Sequence, residues 1–186
     1  MKILKGAMTA SIAVFLWGFI FWWSQLPYSA LNQLDEADAV TREFRARFPR
    51  SGVYMFPKPN DYLPNLKEAL ETGPAMTVYV LSPEDTLPVW VMLLAGFGRI
   101  LFTTLLLGWI LKISLPALQP GYPSRVGFVM LIALAMVAYR DFADPIWWNY
   151  PWAWNRLKAF YDLVSWAIAG MILATFITQP SRRGAS

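Results

Sequence analysis

Four stretches of the chain are long and mainly apolar: Ala7 to Trp23, Val89 to Ile113 with Arg99 inside it, Val126 to Tyr139, and a fourth that begins near Asn155 and runs to Thr178. None shows the strict alternation of a half-buried strand or the single apolar stripe of a surface helix. A helix apolar all round is one that lipid can surround. Crossing a bilayer takes about 17 to 25 residues. The third stretch is short and is expected to use the stems of Arg125 and Arg140 to reach the headgroups. In the fourth, the apolar part begins after Asp162. The pattern therefore predicts a mainly α membrane protein, a bundle of four transmembrane helices with both chain ends on one side. Lys2 and Lys5 ahead of the first stretch also suit a signal peptide, but the one cleavage-like sequence, Tyr28-Ser29-Ala30, places a bulky Tyr where a small residue is needed. The first helix is expected to stay as an anchor.

Between the first two stretches the pattern changes. Leu31, Leu34, Ala37, Val40, Phe44 and Phe48 follow spacings of three and four, which predicts an amphipathic helix over Asp35 to Pro49. Arg42, Arg45, Arg47 and Arg50 fall largely off that face. They read as a solvated basic strip that also touches lipid phosphate, or as an anion- or partner-binding surface. Gly52 to Phe56 and Ala75 to Leu81 are rich in β-branched and aromatic residues and read as paired strands, with a short helix over Pro64 to Leu70 between them. A segment of about 60 residues with few large aliphatics buries little core alone. The organisation expected is residues 1–23 as N-terminus and first helix, 24–87 as a small external α/β cap resting on the membrane helices, and 88–186 as helices 2–4.

Composition agrees and narrows the chemistry. Of 186 residues, 56% are hydrophobic and only 15% charged, against about 25% charged in soluble domains. Histidine and cysteine are absent. That excludes imidazole-ligated haem, zinc held by His or Cys, iron–sulfur clusters, Ser-His-Asp triads, thiol nucleophiles and disulfides. Lys2, Lys5, Lys112, Arg125, Arg182 and Arg183 would share one side of the membrane with no acidic residue. By the positive-inside rule that side is cytoplasmic, so residues 24–87 and the loop 141–157 are expected outside a bacterial cytoplasmic membrane. The basic residues are topology signals and membrane-end anchors, and no nucleic-acid partner is expected.

Three charges stand at one height. At about 1.5 Å per residue, Arg99 lies roughly 20 Å from Lys112, Arg140 roughly 22 Å from Arg125 and Asp162 roughly 25 Å from Gln179. None can face hydrocarbon without a cost of a few kcal/mol, so an intramembrane polar layer is expected, with Arg99 paired to Asp162. It is either a structural ion pair or a site for a headgroup, quinone or ion. Asp141 and Asp144 could join Asp162 in metal-assisted hydrolysis, but Asp-x-x-Asp arises readily by chance and no phosphate-cradling loop accompanies it. Gly96-Phe97-Gly98 lies inside an apolar span and is read as close helix packing. Trp147, Trp148, Tyr150, Trp152 and Trp154 form an interfacial anchor, although a cation cage would use the same residue types.

Leu16-Trp17-Gly18, Pro27, Gly52-Val53-Tyr54-Met55-Phe56-Pro57, Gly73-Pro74, and Asp162 with Trp166 and Gly170 carry a resemblance to a group of small bacterial four-span membrane proteins without known activity. The resemblance implies the topology and brings no catalytic residues and no cofactor. The function expected is a non-enzymatic accessory or scaffold subunit that binds lipid or a membrane partner, another subunit or its own copy, through cap and aromatic loop. The alternative is a carrier or gate for a small amphiphile or ion working through the Arg and Asp layer.

Overall fold

The computed structural model describes residues 1–32, 37–56, 71, 76–148 and 150–179. It is mainly helical, with four helices long and apolar enough to cross a membrane and a small two-stranded sheet. The long helices are α1 (Lys2–Trp23), α3 (Val89–Ser114), α4 (Tyr122–Arg140) and α6 (Trp152–Phe176); α2 (Ala37–Arg47) and the single-turn α5 (Ala143–Trp147) are short. By contacts the chain divides into two compact units, residues 1–32 with 92–186, and residues 33–91.

In the first unit, α6 is the central helix. It packs closely on both α1 and α4, whereas α3 approaches no other helix as closely by its backbone. Small residues make the close approaches possible. A side chain on Gly6 would meet Phe176 Cβ at 3.0 Å, and one on Gly170 would meet Val129 Cγ1 at 2.9 Å. The core is Ala10, Val14, Leu107, Leu111, Val129, Ala169 and Leu173. α3 joins α1 through a buried hydroxyl pair, Ser11 Oγ and Thr104 Oγ1 at 2.8 Å, one hydroxyl donating to the other and the second donating to the carbonyl of Ala7, which lies 2.7 Å from Ser11 Oγ and 3.2 Å from Thr104 Oγ1. Such a bond inside a membrane bundle contributes about 0.6 kcal/mol, and up to about 1.7.

The N-terminus of α1, the C-termini of α3 and α6 and the start of α4 share one end of the bundle. There the unpaired terminal carbonyls find side-chain donors. Arg125 is buried and its Nε donates to the carbonyl of Ala174 at 3.1 Å. Gln179 Nε2 donates to the carbonyls of Leu115 and Leu118, both at 2.9 Å. This corrects the expectation that the Arg125 stem reaches outward: α4 begins at Tyr122, one turn before the apolar run, so Arg125 sits inside the helix and turns onto α6.

In the second unit, β1 (Gly52–Phe56) pairs antiparallel with β2 (Met76–Val80), Tyr54 opposite Val78. Phe48, just past α2, meets Tyr54 and Phe56 at ring distances of 4.7 and 6.0 Å and Phe44 at 5.2 Å. Of the apolar face expected there, Phe48 rests on β1 and Phe44 packs behind it. The expected helix over Pro64 to Leu70 lies outside the described residues.

Candidate functional site

The charged layer is built at the opposite end of the bundle, where α4 hands over to α5 and α6. Asn155, Lys158, Asp162 and Ser165 follow spacings of three, four and three on α6, which lines them along one face. Lys158 Nζ donates to Asp144 Oδ2 and to Asn155 Oδ1, both at 3.1 Å, and so ties the Trp-rich loop to the helix. Arg140, the last residue of α4, donates through Nε to Asp141 Oδ1 at 3.1 Å, and its Nη2 lies 3.0 Å from the same oxygen. Nη2 also pairs with Asp162 Oδ2. Asp141 is fully buried, and its Oδ2 accepts no hydrogen bond.

The acid–base pairing therefore differs from the sequence expectation. Asp162 takes Arg140, not Arg99. The reason is that the chain turns at the end of α4 and brings Arg140 and Asp141 together onto α6, while α3 stands farther off. Arg99 has no carboxylate within ion-pair distance among the described residues. The three carboxylates once considered for a metal are each held by a cation instead, and the described residues contain no group of three that could hold a metal ion.

Two cavities meet at Arg99. The smaller, about 230 Å³, is polar: Arg99, Arg140 and Asp162 line it with the hydroxyl residues Thr103, Thr104 and Ser165. Two guanidinium groups and one carboxylate line its wall, but Arg140 is already held by Asp162 and Asp141, so Arg99 is the cation available to an anion. The larger, about 640 Å³, is aromatic, with Phe15, Phe19, Trp22, Trp23 and Tyr28 on its wall and Gly18 and Gly96 leaving it room. Arg99, Ile100 and Tyr161 line both. Gly96 does not serve close packing, as its spacing suggested: a side chain there would have Phe15 Cε2 at 4.0 Å as its nearest neighbour, and one on Gly98 would meet nothing within 4 Å. The aromatic wall is itself ordered, Phe15 meeting Phe19 and Phe97 edge-on at 5.1 and 5.5 Å, and Tyr161 stacking with Trp17 at 6.3 Å.

The remaining candidates stand apart from these cavities. Of the aromatic loop, Trp147, Trp148 and Trp152 are exposed, Tyr150 is half-buried, and Trp154 turns inward to Trp22 at 6.1 Å. In the basic strip, Arg42, Arg47 and Arg50 are exposed; Arg47 pairs with Glu43 at 3.0 Å, a surface pair that contributes little. The side chain of Arg45 lies outside the described set.

Sequence reasoning missed Tyr161, the hydroxyls of the polar cavity and the Lys158 to Asp144 tie. The polar line on α6 was the available signal for the last of these. Compared with protein-family models, curated proteins and solved structures, the chain matches none, so the resemblance stands on its motifs alone.

Proposed function

We propose that this chain is a multi-pass protein of a bacterial cytoplasmic membrane that binds an anionic amphiphile, head at Arg99 and tail along the aromatic cavity. The observation that carries the reading is Arg99 itself, a guanidinium without a carboxylate partner among the described residues, where a polar and an aromatic cavity adjoin. Arg99 is exposed on the side of the bundle, within an apolar span that hydrocarbon would surround, and a charge there is costly unless something answers it. Binding of this kind serves a carrier as well as an accessory subunit that holds lipid for a membrane partner. Exposed Trp147, Trp148 and Trp152 favour the second role, as an interfacial anchor or docking surface.

In purified protein reconstituted into phosphatidylcholine nanodiscs, anionic amphiphiles with brominated chains should quench the tryptophans of the aromatic cavity. A hydrogen bond to a charged group contributes about 1.5 to 3 kcal/mol, so Arg99→Gln should weaken that binding roughly tenfold to hundredfold, with Arg99→Lys in between. Equal affinity in Arg99→Gln would remove the anchor from the reading.

The orientation belongs to the same proposal: both termini cytoplasmic, with residues 24–87 and 141–157 periplasmic. Lys2, Lys5, Lys112 and Arg125 at one end of the bundle support it. Single cysteines introduced into this cysteine-free chain should react with an impermeant reagent on whole cells at Asn60 and not at Ser186. The reverse pattern inverts the protein.

A further inference from the structure

We infer that the amphiphile carries an oxyanion head, a carboxylate or a phosphate, and that the hydroxyl of Tyr161 is its second donor beside the guanidinium of Arg99. This rests on the binding reading above and adds the chemistry of the head and the residue that positions it.

A tyrosine hydroxyl away from bulk water ordinarily finds a hydrogen-bond partner. The hydroxyl residues lining the two cavities are Tyr28, Thr103, Thr104, Tyr161 and Ser165. Tyr28 donates to the carbonyl of Trp22 at 3.3 Å, Thr103 to that of Arg99 at 2.9 Å and Ser165 to that of Tyr161 at 2.7 Å, while Thr104 is bonded to Ser11 at 2.8 Å. Tyr161 differs. Its backbone carbonyl accepts from Ser165 and from Trp17 Nε1, but among the described residues its hydroxyl has no partner. The ring itself is held, stacked on Trp17 at 6.3 Å and packed against Phe21 at 5.0 Å and Trp22 at 5.4 Å. The hydroxyl is therefore fixed in place with its proton unused.

That place is level with the free cation. A Cβ on Gly18 would stand 3.2 Å from Tyr161 Oη, so the missing side chain of Gly18 leaves the hydroxyl its room. Arg99 stands on α3 between Gly96, which faces Phe15, and Thr104, which is bonded to Ser11. Its level on α1 thus falls between Ser11 and Phe15. A helical side chain leans toward the N-terminus of its own helix, and the N-terminus of α3 lies at the end where α1 terminates. The Arg99 side chain is carried toward Phe15 and Gly18, the level of the hydroxyl, and Arg99 and Tyr161 both line both cavities.

One charged and one neutral donor set the class of head. The guanidinium answers negative charge, and the phenol O–H adds a directional bond to an oxygen lone pair. An oxyanion supplies both, because its oxygens accept several hydrogen bonds at once. Arg140 is held by Asp141 and Asp162, so Tyr161 is the residue left to complete the site.

The test uses full-length protein in phosphatidylcholine nanodiscs, with tryptophan quenching as readout. The probes are a brominated fatty acid and phosphatidic acid carrying the same brominated chains, and the one that saturates at lower concentration tells carboxylate from phosphate. Tyr161→Phe removes one oxygen and keeps the ring. It should weaken saturable binding at least about tenfold, the loss of a hydrogen bond to a charged group. It should leave the melting temperature of the ligand-free protein unchanged or raised, because the hydroxyl has no bond to lose. A lowered melting temperature with unchanged affinity is the signature of a structural hydroxyl and would overturn the inference.

Gly18→Ala provides the second arm. Its methyl crowds Tyr161 Oη, and among the described residues no other atom outside its own stretch of α1 lies within 4 Å of that methyl. Binding should weaken in Gly18→Ala alone and should not weaken further when Gly18→Ala is added to Tyr161→Phe. An equal loss in both backgrounds would overturn the placement of the hydroxyl in the site. Saturable binding that needs Arg99 and ignores Tyr161→Phe would overturn this inference and leave the proposed function intact. Binding that ignores Arg99, or saturation by neither probe, would overturn both.

Discussion

Replacing Arg140 with leucine should lower the stability of the protein in detergent by about 3 kcal/mol, the lower end of the range for breaking a buried ion pair. The guanidinium answers two carboxylates at once, Asp162 and the fully buried Asp141. Its own side chain is 57% exposed, so solvent or headgroups share its charge, which is why the lower end applies. Without it, the fully buried Asp141 loses its cation. Asp162→Leu removes one of the two carboxylates and leaves Arg140 on Asp141, so its loss should be smaller. The double change Arg140→Leu with Asp162→Leu should recover only a fraction, because Asp141 stays uncompensated. Thermal unfolding followed by tryptophan fluorescence measures all three. A melting temperature unchanged in Arg140→Leu would show that Asp141 carries no charge needing an answer, and the layer would not be an ion network.

Gly170→Ala should cost about 1 to 3 kcal/mol by overpacking, and Gly170→Leu more. The added Cβ would stand 2.9 Å from Val129 Cγ1 and 3.1 Å from Val129 Cβ. Valine in a helix has one strongly preferred rotamer, so Val129 cannot swing aside, and α4 must move away from α6. Since α6 is the helix on which both α1 and α4 pack, the displacement reaches the ion layer at the far end of α4. Val129→Ala in the Gly170→Ala background should restore part of the loss. Gly98→Ala is the control, with nothing within 4 Å of the new methyl, and should be neutral or slightly stabilising. Equal melting temperatures for Gly170→Ala and Gly98→Ala would refute the packing account.

Much of the fold was legible because its signals are local. Four long apolar runs become four long helices, and the boundaries at Val89 and near Ser114 follow from Pro88 ahead and Pro116 behind. The hairpin strands at 52–56 and 76–80 sit within a residue of where β-branched and aromatic residues placed them. The helix boundaries that shifted did so for reasons outside hydropathy. α1 starts at Lys2 and α4 at Tyr122, because a polar residue can complete a helical turn beyond the apolar run when its side chain finds water or, as Arg125 does, a carbonyl.

Sequence by itself determined that Arg99, Arg140 and Asp162 stand at one height, since helix rise converts residue counts into depth. It could not determine which of them meet. Height is a property of each helix alone, whereas pairing depends on the rotation of each helix and the distance between axes, and these are set by side chains and glycines of different helices. Val129 against Gly170 and Phe176 against Gly6 draw α4 and α1 onto α6, and that placement gives Asp162 to Arg140. The same packing leaves α3 standing off, so Arg99 faces space and a second, aromatic cavity opens beside it. A cavity is formed by atoms far apart in the chain that fail to touch, and no local pattern of residues records it.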